Sequence, residues 1–551
     1  MRACAVSCAL ASAATLGIPG YGTVHQRAVG NGVTEALGLP YAQAPVGDLR
    51  FRPPQPLGNE SKIVAGSEFG PACMQQADPD VASLPMSEDC LTLNIWAPAA
   101  AAGAPVYVYI HGGGFVSGTG RILNGSKLAE KGVVVVTINY RLAALGFLPL
   151  GEISEENPEA PSNGGVNGLM DQVEALRWVQ KHISHFGGDP AQVTMGGESA
   201  GALSVCTHLH MKPAQGLFHR AILESGSCIG PWGASWGEGT VAQMEADAFK
   251  LQLKSINLEA LRKVPVAEML NTSTWTLFMP SIDGFYMPKV PAESPMLTSN
   301  ITILLGSNSE DTLLADPWLG TLPAFLQDKY RKTIPTTSAG FALKVVEYFG
   351  LEGLIHYPPP LFGGEAEVKA RFLQMSADMC NTCPAKWLTS KAQLMNSQVH
   401  QYFFAFWPNR TAGLASYGLA CHACEMDYAF NYRLGAMMGG EVGAYLDQEF
   451  NDELGETMSQ YWASFVASGA PKGKVDWPLA EGSTNTTVPL MVFGQGPLGR
   501  PHVRVEEGVA AGRCDFVAKF GQASAKNQQA INNFCSLPVS KLPGHQQVML
   551  I

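Results

Sequence analysis

No run of lysines or arginines occurs anywhere in the 551 residues, and the formal net charge is −11. Nucleic acid and anionic membrane surfaces both reward clustered cations, so neither is expected as the main partner. Charged residues make up only 15% of the chain against 46% apolar, too apolar a balance for disorder and an ordinary one for a buried core. Long uncharged apolar runs are missing as well, which excludes a transmembrane helix. Beyond the N-terminus there is no repeat, low-complexity block or linker, and this favours one large domain over 14–551.

What is present begins at the N-terminus. One arginine is followed by an Ala-rich apolar stretch and then Ala11-Ser12-Ala13, a small-x-small cleavage pattern. That predicts a secretory signal over residues 1–13, against the competing reading of an Ala-rich terminus. Twelve cysteines fit the oxidising compartment such a signal implies. So do the Asn-x-Ser/Thr acceptors at Asn59, Asn124, Asn271, Asn300, Asn409 and Asn485.

Short β-rich runs at Val106 to Ile110, Val133 to Tyr140, Gln192 to Met195, Arg220 to Leu223, Ile301 to Gly306 and Gln401 to Phe406 read as buried strands. Between the second and third, Leu169, Val173, Leu176, Trp178, Val179 and Ile183 recur at helical spacing. Alternating strands and helices predict an α/β fold, a mostly parallel central sheet covered by helices. The stretches from Trp236 to Lys289 and from Pro317 to Met395 lack strand runs and are expected to be helical insertions that roof the sheet.

The chemistry concentrates at Gly197-Glu198-Ser199-Ala200-Gly201, between a predicted strand and a predicted helix. A G-x-S-x-G turn in that context presents its serine as a nucleophile; by itself it could also be a plain glycine-rich turn. His111-Gly112-Gly113-Gly114-Phe115, directly after a strand, matches the HGGG loop that supplies oxyanion donors in esterases and lipases. The backbone N–H groups of Gly113, Gly114 and Ala200 are the candidate donors.

At these residues the sequence resembles the type-B carboxylesterase and cholinesterase family of α/β-hydrolases. The resemblance runs from "LGLPYAQAPVGDLRFRPP" through "MSEDCLTLNIWAP", "YIHGGGF", "NYRLAALGFL", "GGDPAQVTMGGESAG", "AILESGS" and "PSIDG" to "YWASFVASGAPK", nearly the whole chain after the N-terminus. It implies an α/β-hydrolase fold and a serine esterase needing no cofactor and no metal, with a small-molecule ester and water as its reactants. The family's acid segment G-x-N-x-x-[E/D] is matched by Gly306 to Asp311, which points to Asp311 with Glu310 as its rival. The family's histidine segment is matched by His422 to Phe430 and points to His422 as the base. Glu198 and Glu425 resemble the family's glutamates beside nucleophile and base, with buried hydrogen bonding as the competing role, and Trp232 resembles a wall of the acyl pocket, with core packing as its alternative.

Departures from the family pattern bear on substrate. The segment from Cys73 to Cys90 contains no aromatic residue, and Thr312 to Ala315 lack the aromatic pair that cholinesterases place there, so a neutral ester suits the site better than choline. A lipase with a lid is the close alternative. A non-catalytic adhesion or binding role is the distant one, with every triad position occupied. Cys73 and Cys90 match the family's first disulfide, and Cys383 and Cys514 resemble a second pair. Cys380, Cys421, Cys424 and Cys535 leave three connectivities open, with disulfides favoured over a zinc site. Cys206 is expected to be a buried free thiol. The resemblance also implies bracing ion pairs, Arg50 with Glu88 and Arg141 with Asp171.

Overall fold

The computed structural model describes residues 14–58, 63–76, 84–231, 257–270, 279–311, 334–361, 364–406, 420–433, 450–481, 488–496 and 500–523, together with Asn527, Ile531 and Cys535. Its strands are β1 (Ala14–Ile18), β2 (Gly22–Gly30), β3 (Val33–Pro40), β4 (Ile63–Ala65), β5 (Ala72–Cys73), β6 (Met86–Ser87), β7 (Thr92–Pro98) and β8 (Ala104–Ile110). They continue as β9 (Val134–Ile138), β10 (Gly188–Glu198), β11 (Arg220–Glu224), β12 (Thr302–Asn308), β13 (Gln398–Ala405), β14 (Pro489–Gln495) and β15 (Pro501–Glu507).

One large sheet runs in the order β1-β2-β3-β7-β9-β8-β10-β11-β12-β13-β14-β15, with β4 on β2. From β9 to β14 every neighbouring pair is parallel. The flanks are antiparallel, from β1 to β9 on one side and at β14 with β15 on the other. The six strands expected from the sequence are β8 to β13, all within the parallel centre. The antiparallel flanks were not among them.

Strand periodicity divides the core between two faces. In β8, Val106, Val108 and Ile110 pack into one hydrophobic cluster while Tyr107 and Tyr109 pack into the other. The same alternation holds for β12, with Ile303 and Leu305 on the first face and Leu304 on the second. Both faces are buried, as a parallel sheet requires. Asn167–His182, the helix expected between the second and third strands, lies over the first face through Leu169, Val173, Leu176 and Val179. The Asp452–Ser468 helix lies over the second through Met458, Trp462 and Phe465, starting on the Asn451 cap and ending at Gly469 with φ 75°.

The stretches expected to be helical insertions contain helices at Leu258–Lys263, Val266–Leu270, Ser338–Phe349, Glu365–Ala377 and Cys383–Leu394 among the described residues. Both bracing ion pairs form as forks. Arg50 donates to Glu88 at 2.6 Å twice, and Arg141 to Asp171 at 2.8 and 2.7 Å.

The disulfides among the described residues are Cys73–Cys90, Cys206–Cys228, Cys380–Cys535, Cys383–Cys514 and Cys421–Cys424. Cys206 therefore corrects the expectation of a free thiol. The helix carrying it runs back from the end of β10, and Cys228 lies just past the end of neighbouring β11, so two residues 22 apart in sequence have Cα atoms 5.6 Å apart. Residues 1–13, with the expected signal, lie outside the described residues.

Candidate active site

Ser199 occupies the single residue between β10 and the Ala200–His208 helix, at φ 57° and ψ −123°. A non-glycine residue there is strained by roughly 1–3 kcal/mol, so its surroundings must hold it. They do so through the backbone: Ser199 N donates to Glu224 O on β11 at 2.9 Å, and Ser199 O accepts from Leu203 N at 2.9 Å. The helix can follow so sharply only because of Gly201, where a Cβ would stand 2.0 Å from the Ile110 carbonyl oxygen at the end of β8. The serine is 3% exposed, and its hydroxyl hydrogen-bonds to no described residue.

The glycine loop that follows β8 lies against this turn. A Cβ on Gly112 would come within 3.0 Å of the Ser199 Cβ. Gly113 has φ 96° and is exposed, and its carbonyl accepts from Val116 and Ser117 at 3.0 and 2.9 Å, which turns the loop back on itself. Neither Gly113 nor Gly114 donates its N–H to a described residue, and Ala200 N opens its helix ahead of the first intrahelical bond. Below them His111 stacks on Tyr140 with ring centres 4.4 Å apart, and its Nδ1 bonds to Gly112 O at 2.8 Å. Burial pushes that imidazole down to about 4, so at neutral pH it is an uncharged prop for the loop.

Asp311 and His422 meet from distant parts of the chain. Asp311 follows β12 and is fully buried, and its Oδ1 is 2.5 Å from His422 Nδ1. Its Oδ2 accepts from Asn308 N at 3.1 Å, and its carbonyl accepts from Asn381 at 2.9 Å. Glu310 points elsewhere, its carboxylate accepting from Ala420 N at 2.9 Å and from Ser309 Oγ. Of the two acids, Asp311 is the one that reaches the imidazole. The other ring nitrogen, Nε2, is 3.1 Å from Glu198 Oε1. The structure thus joins Glu198, Asp311 and His422 directly, while no hydrogen bond joins Ser199 to His422 in this conformation.

Three buried glutamates surround this centre. Glu425 accepts from Ser225 and Tyr402 at 3.0 and 3.2 Å and from Asn308 Nδ2 at 2.5 Å. Glu224 accepts from Trp462 Nε1 at 3.0 Å, and its register partner across the β10–β11 pair is Glu198. Burial pushes all three carboxyls above the usual carboxylate range, helped by neighbouring acids: Glu425 and Asp311 act on Glu198, Glu425 and Glu198 on Glu224, and Asp311 on Glu425. Burial pulls His422 the other way, but the carboxylates of Glu198 and Asp311 outweigh it, so the imidazole lies above its ordinary value. The Glu198 carboxylate, 3.1 Å from Nε2, thus favours the charged form of the imidazole.

A turn-presented serine, an open row of amide donors and a buried histidine on an aspartate form an acyl-transfer constellation. The model of the carboxylesterase family matches residues 20–517. The chain belongs to that family. It is 34% identical over 491 residues to a cocaine esterase of Oryctolagus cuniculus, covering 83% of this chain and 87% of that protein. A para-nitrobenzyl esterase of Bacillus subtilis (strain 168) is 32% identical over 84% of this chain and 91% of its own length. A cholinesterase of Mus musculus is 32% identical over 82% and 78%. Among solved structures, a PNB esterase superposes with a TM-score of 0.68 at 28% identity, covering 91% of this chain and 99% of the other. The α/β-hydrolase fold and the activity class, serine hydrolysis of carboxylic esters, follow from this membership.

Asn308, Ser225, Tyr402, Glu224 and Asn381 were not singled out by sequence reasoning. Asn308 carried a signal as the fixed asparagine of the G-x-N-x-x-[E/D] segment, and Glu224 and Ser225 fall within the matching "AILESGS" segment; Tyr402 and Asn381 reach the site through sheet register and a helix far along the chain. Trp232 and Thr312 to Ala315 lie outside the described residues. The five disulfides among the described residues fit a secreted or lumenal protein, and no helix among those residues is long and apolar enough to cross a membrane.

Proposed function

We propose that the chain is a secreted, single-domain esterase over 14–551 in which Ser199 attacks neutral carboxylic esters. The contact of His422 Nδ1 with Asp311 Oδ1 at 2.5 Å, on a histidine placed by the same fold that presents Ser199, is the observation that carries this reading. His422 in its neutral form takes the Ser199 proton as Oγ bonds to the carbonyl carbon, and Asp311 fixes the tautomer and stabilises the imidazolium. The oxyanion is held by the N–H groups of Gly113, Gly114 and Ala200, where losing one donor typically costs roughly 10²–10³ in rate. The imidazolium protonates the departing alcohol, leaving an acyl group on Ser199. Water, deprotonated by His422, then releases the acid.

In the resting conformation Nε2 faces Glu198, the neighbour of the nucleophile, and the Ser199–His422 hydrogen bond forms when substrate arrives. Glu198 and Glu425 shape the site through buried hydrogen bonds and charge and take no part in bond making. A segment from Cys73 to Cys90 without aromatic residues supports a neutral substrate over a quaternary ammonium ester.

The test is a panel of p-nitrophenyl esters of increasing acyl length beside emulsified triglyceride, run on wild type and Ser199→Ala. Soluble short esters should be turned over by the wild type alone. Preference for the emulsion would favour a lipase, and full activity in Ser199→Ala would remove the nucleophile assignment.

A further inference from the structure

His422 sits inside a two-residue disulfide loop, Cys421-His422-Ala423-Cys424. The other four disulfides close loops with separations of 17, 22, 155 and 131 residues, and all eight of their cysteines are buried. Cys421 is buried too, whereas Cys424 is half-exposed. Among the described disulfides this is the one a thiol in solution can reach without opening the core, and reach governs which sulfur exchanges. It is also the loop whose closure removes the least chain entropy, so folding protects it least.

The backbone inside the loop is held under tension. Ala423 has φ 62°, a conformation an alanine leaves readily once released. The Cys421 side of the loop is anchored: its carbonyl accepts from Asn308 Nδ2 at 2.6 Å, and it bridges to Glu310 beside Asp311. The Cys424 side is tied back by the disulfide and by a 3.2 Å bond from Cys424 N to Cys421 O. Opening the disulfide lets Ala423 relax, and His422, one residue away, turns off Asp311.

We propose that Cys421–Cys424 is a thiol–disulfide exchange site through which a dithiol reductant controls the position of His422. The inference rests on the role of His422 proposed above. A thiolate of the reductant attacks Cys424 Sγ, the Cys421–Cys424 bond breaks, and Cys421 leaves as a thiolate that takes up a proton. The second thiol of the reductant then displaces Cys424, closing the reductant's own disulfide. Two electrons and two protons pass from the dithiol to the pair. Cys421 and Cys424 act as positioning residues, since neither touches substrate.

The experiment titrates the native full chain with dithiothreitol, alkylates with iodoacetamide, and maps labelled cysteines by peptide mass while following p-nitrophenyl acetate hydrolysis. Cys421 and Cys424 should label first, with kcat falling about tenfold or more, KM little changed, and oxidised glutathione restoring the rate. Labelling of another pair first, or opening of this pair with kcat unchanged, would overturn the proposal. A Cys421→Ser, Cys424→Ser double variant should have a low kcat indifferent to dithiothreitol; wild-type kcat in that variant would also overturn it. Labelling order is read by mass alone, so a protein inactive before reduction would count against the Ser199 and His422 assignment and not against the exchange site.

Discussion

The two ends of the proposed catalytic line are built differently. On the Ser199 side, position comes from the main chain: β8 and β10 pair in register, Glu224 O holds the serine amide, and Gly201 permits the close turn. On the His422 side, position comes from side chains and a disulfide: Asn308, Glu425 and Cys424 hold residues drawn from stretches more than a hundred positions apart. Backbone-built sites are fixed as soon as the sheet forms. Side-chain-built sites depend on protonation and redox state, and the His422 end is where conditions should act.

The largest expected effect is at the backbone-built end. Ser199→Ala should lower kcat by roughly 10⁴-fold or more while the protein stays folded, read by burst kinetics and circular dichroism. A smaller drop would mean the turn itself is not where the bond forms. Gly201→Ala should destabilise the fold by about 3 kcal/mol, since the new Cβ meets a backbone oxygen that cannot give way. Urea denaturation measures it, and a neutral result would show that the turn adapts more than a backbone-built site should.

At the other end the effects should be smaller and tunable. Asn308→Ala leaves the Cys421 carbonyl and a Glu425 oxygen without their amide partner, at about 2 kcal/mol. Its kcat should fall while KM holds, because the loss concerns the placement of His422. Smallest is Glu198→Gln. The proposed base works only when neutral, so activity should fall as pH drops through the His422 pKa, which Glu198 and Asp311 hold above the ordinary imidazole value. Removing the Glu198 charge should therefore move the acid limb of kcat/KM to lower pH. A limb that stays in place or moves upward would show that the Glu198 charge does not set it.

The same contrast explains what the sequence made legible. The parallel centre, β8 to β13, and the two glycine motifs are local patterns, so they could be read directly. The flanks escaped because β2 mixes half-exposed His25 and Gln26 and exposed Arg27 into its strand, and β14 opens on Pro489, a residue that argues against a strand. Cys228 opposite Cys206 and Glu224 opposite Glu198 depend on register between β10 and β11, which no window along the chain contains. Asp311 and His422 could be placed through family resemblance, but the Asn308 bridge between their segments could not.

The sheet order β9-β8-β10 has a further consequence for descent with modification. After β8 the chain departs to one side, and it returns to β10 on the other, so the loops leaving these two strands diverge and a cleft opens between them by topology alone. The candidate donors and Ser199 follow these two strands directly, before any substrate-specific side chain is chosen. Insertions after β11, β12 and β13 can then be lengthened, shortened or exchanged while the cleft's chemistry is inherited unchanged, leaving lineages free to acquire new esters without reinventing the reaction.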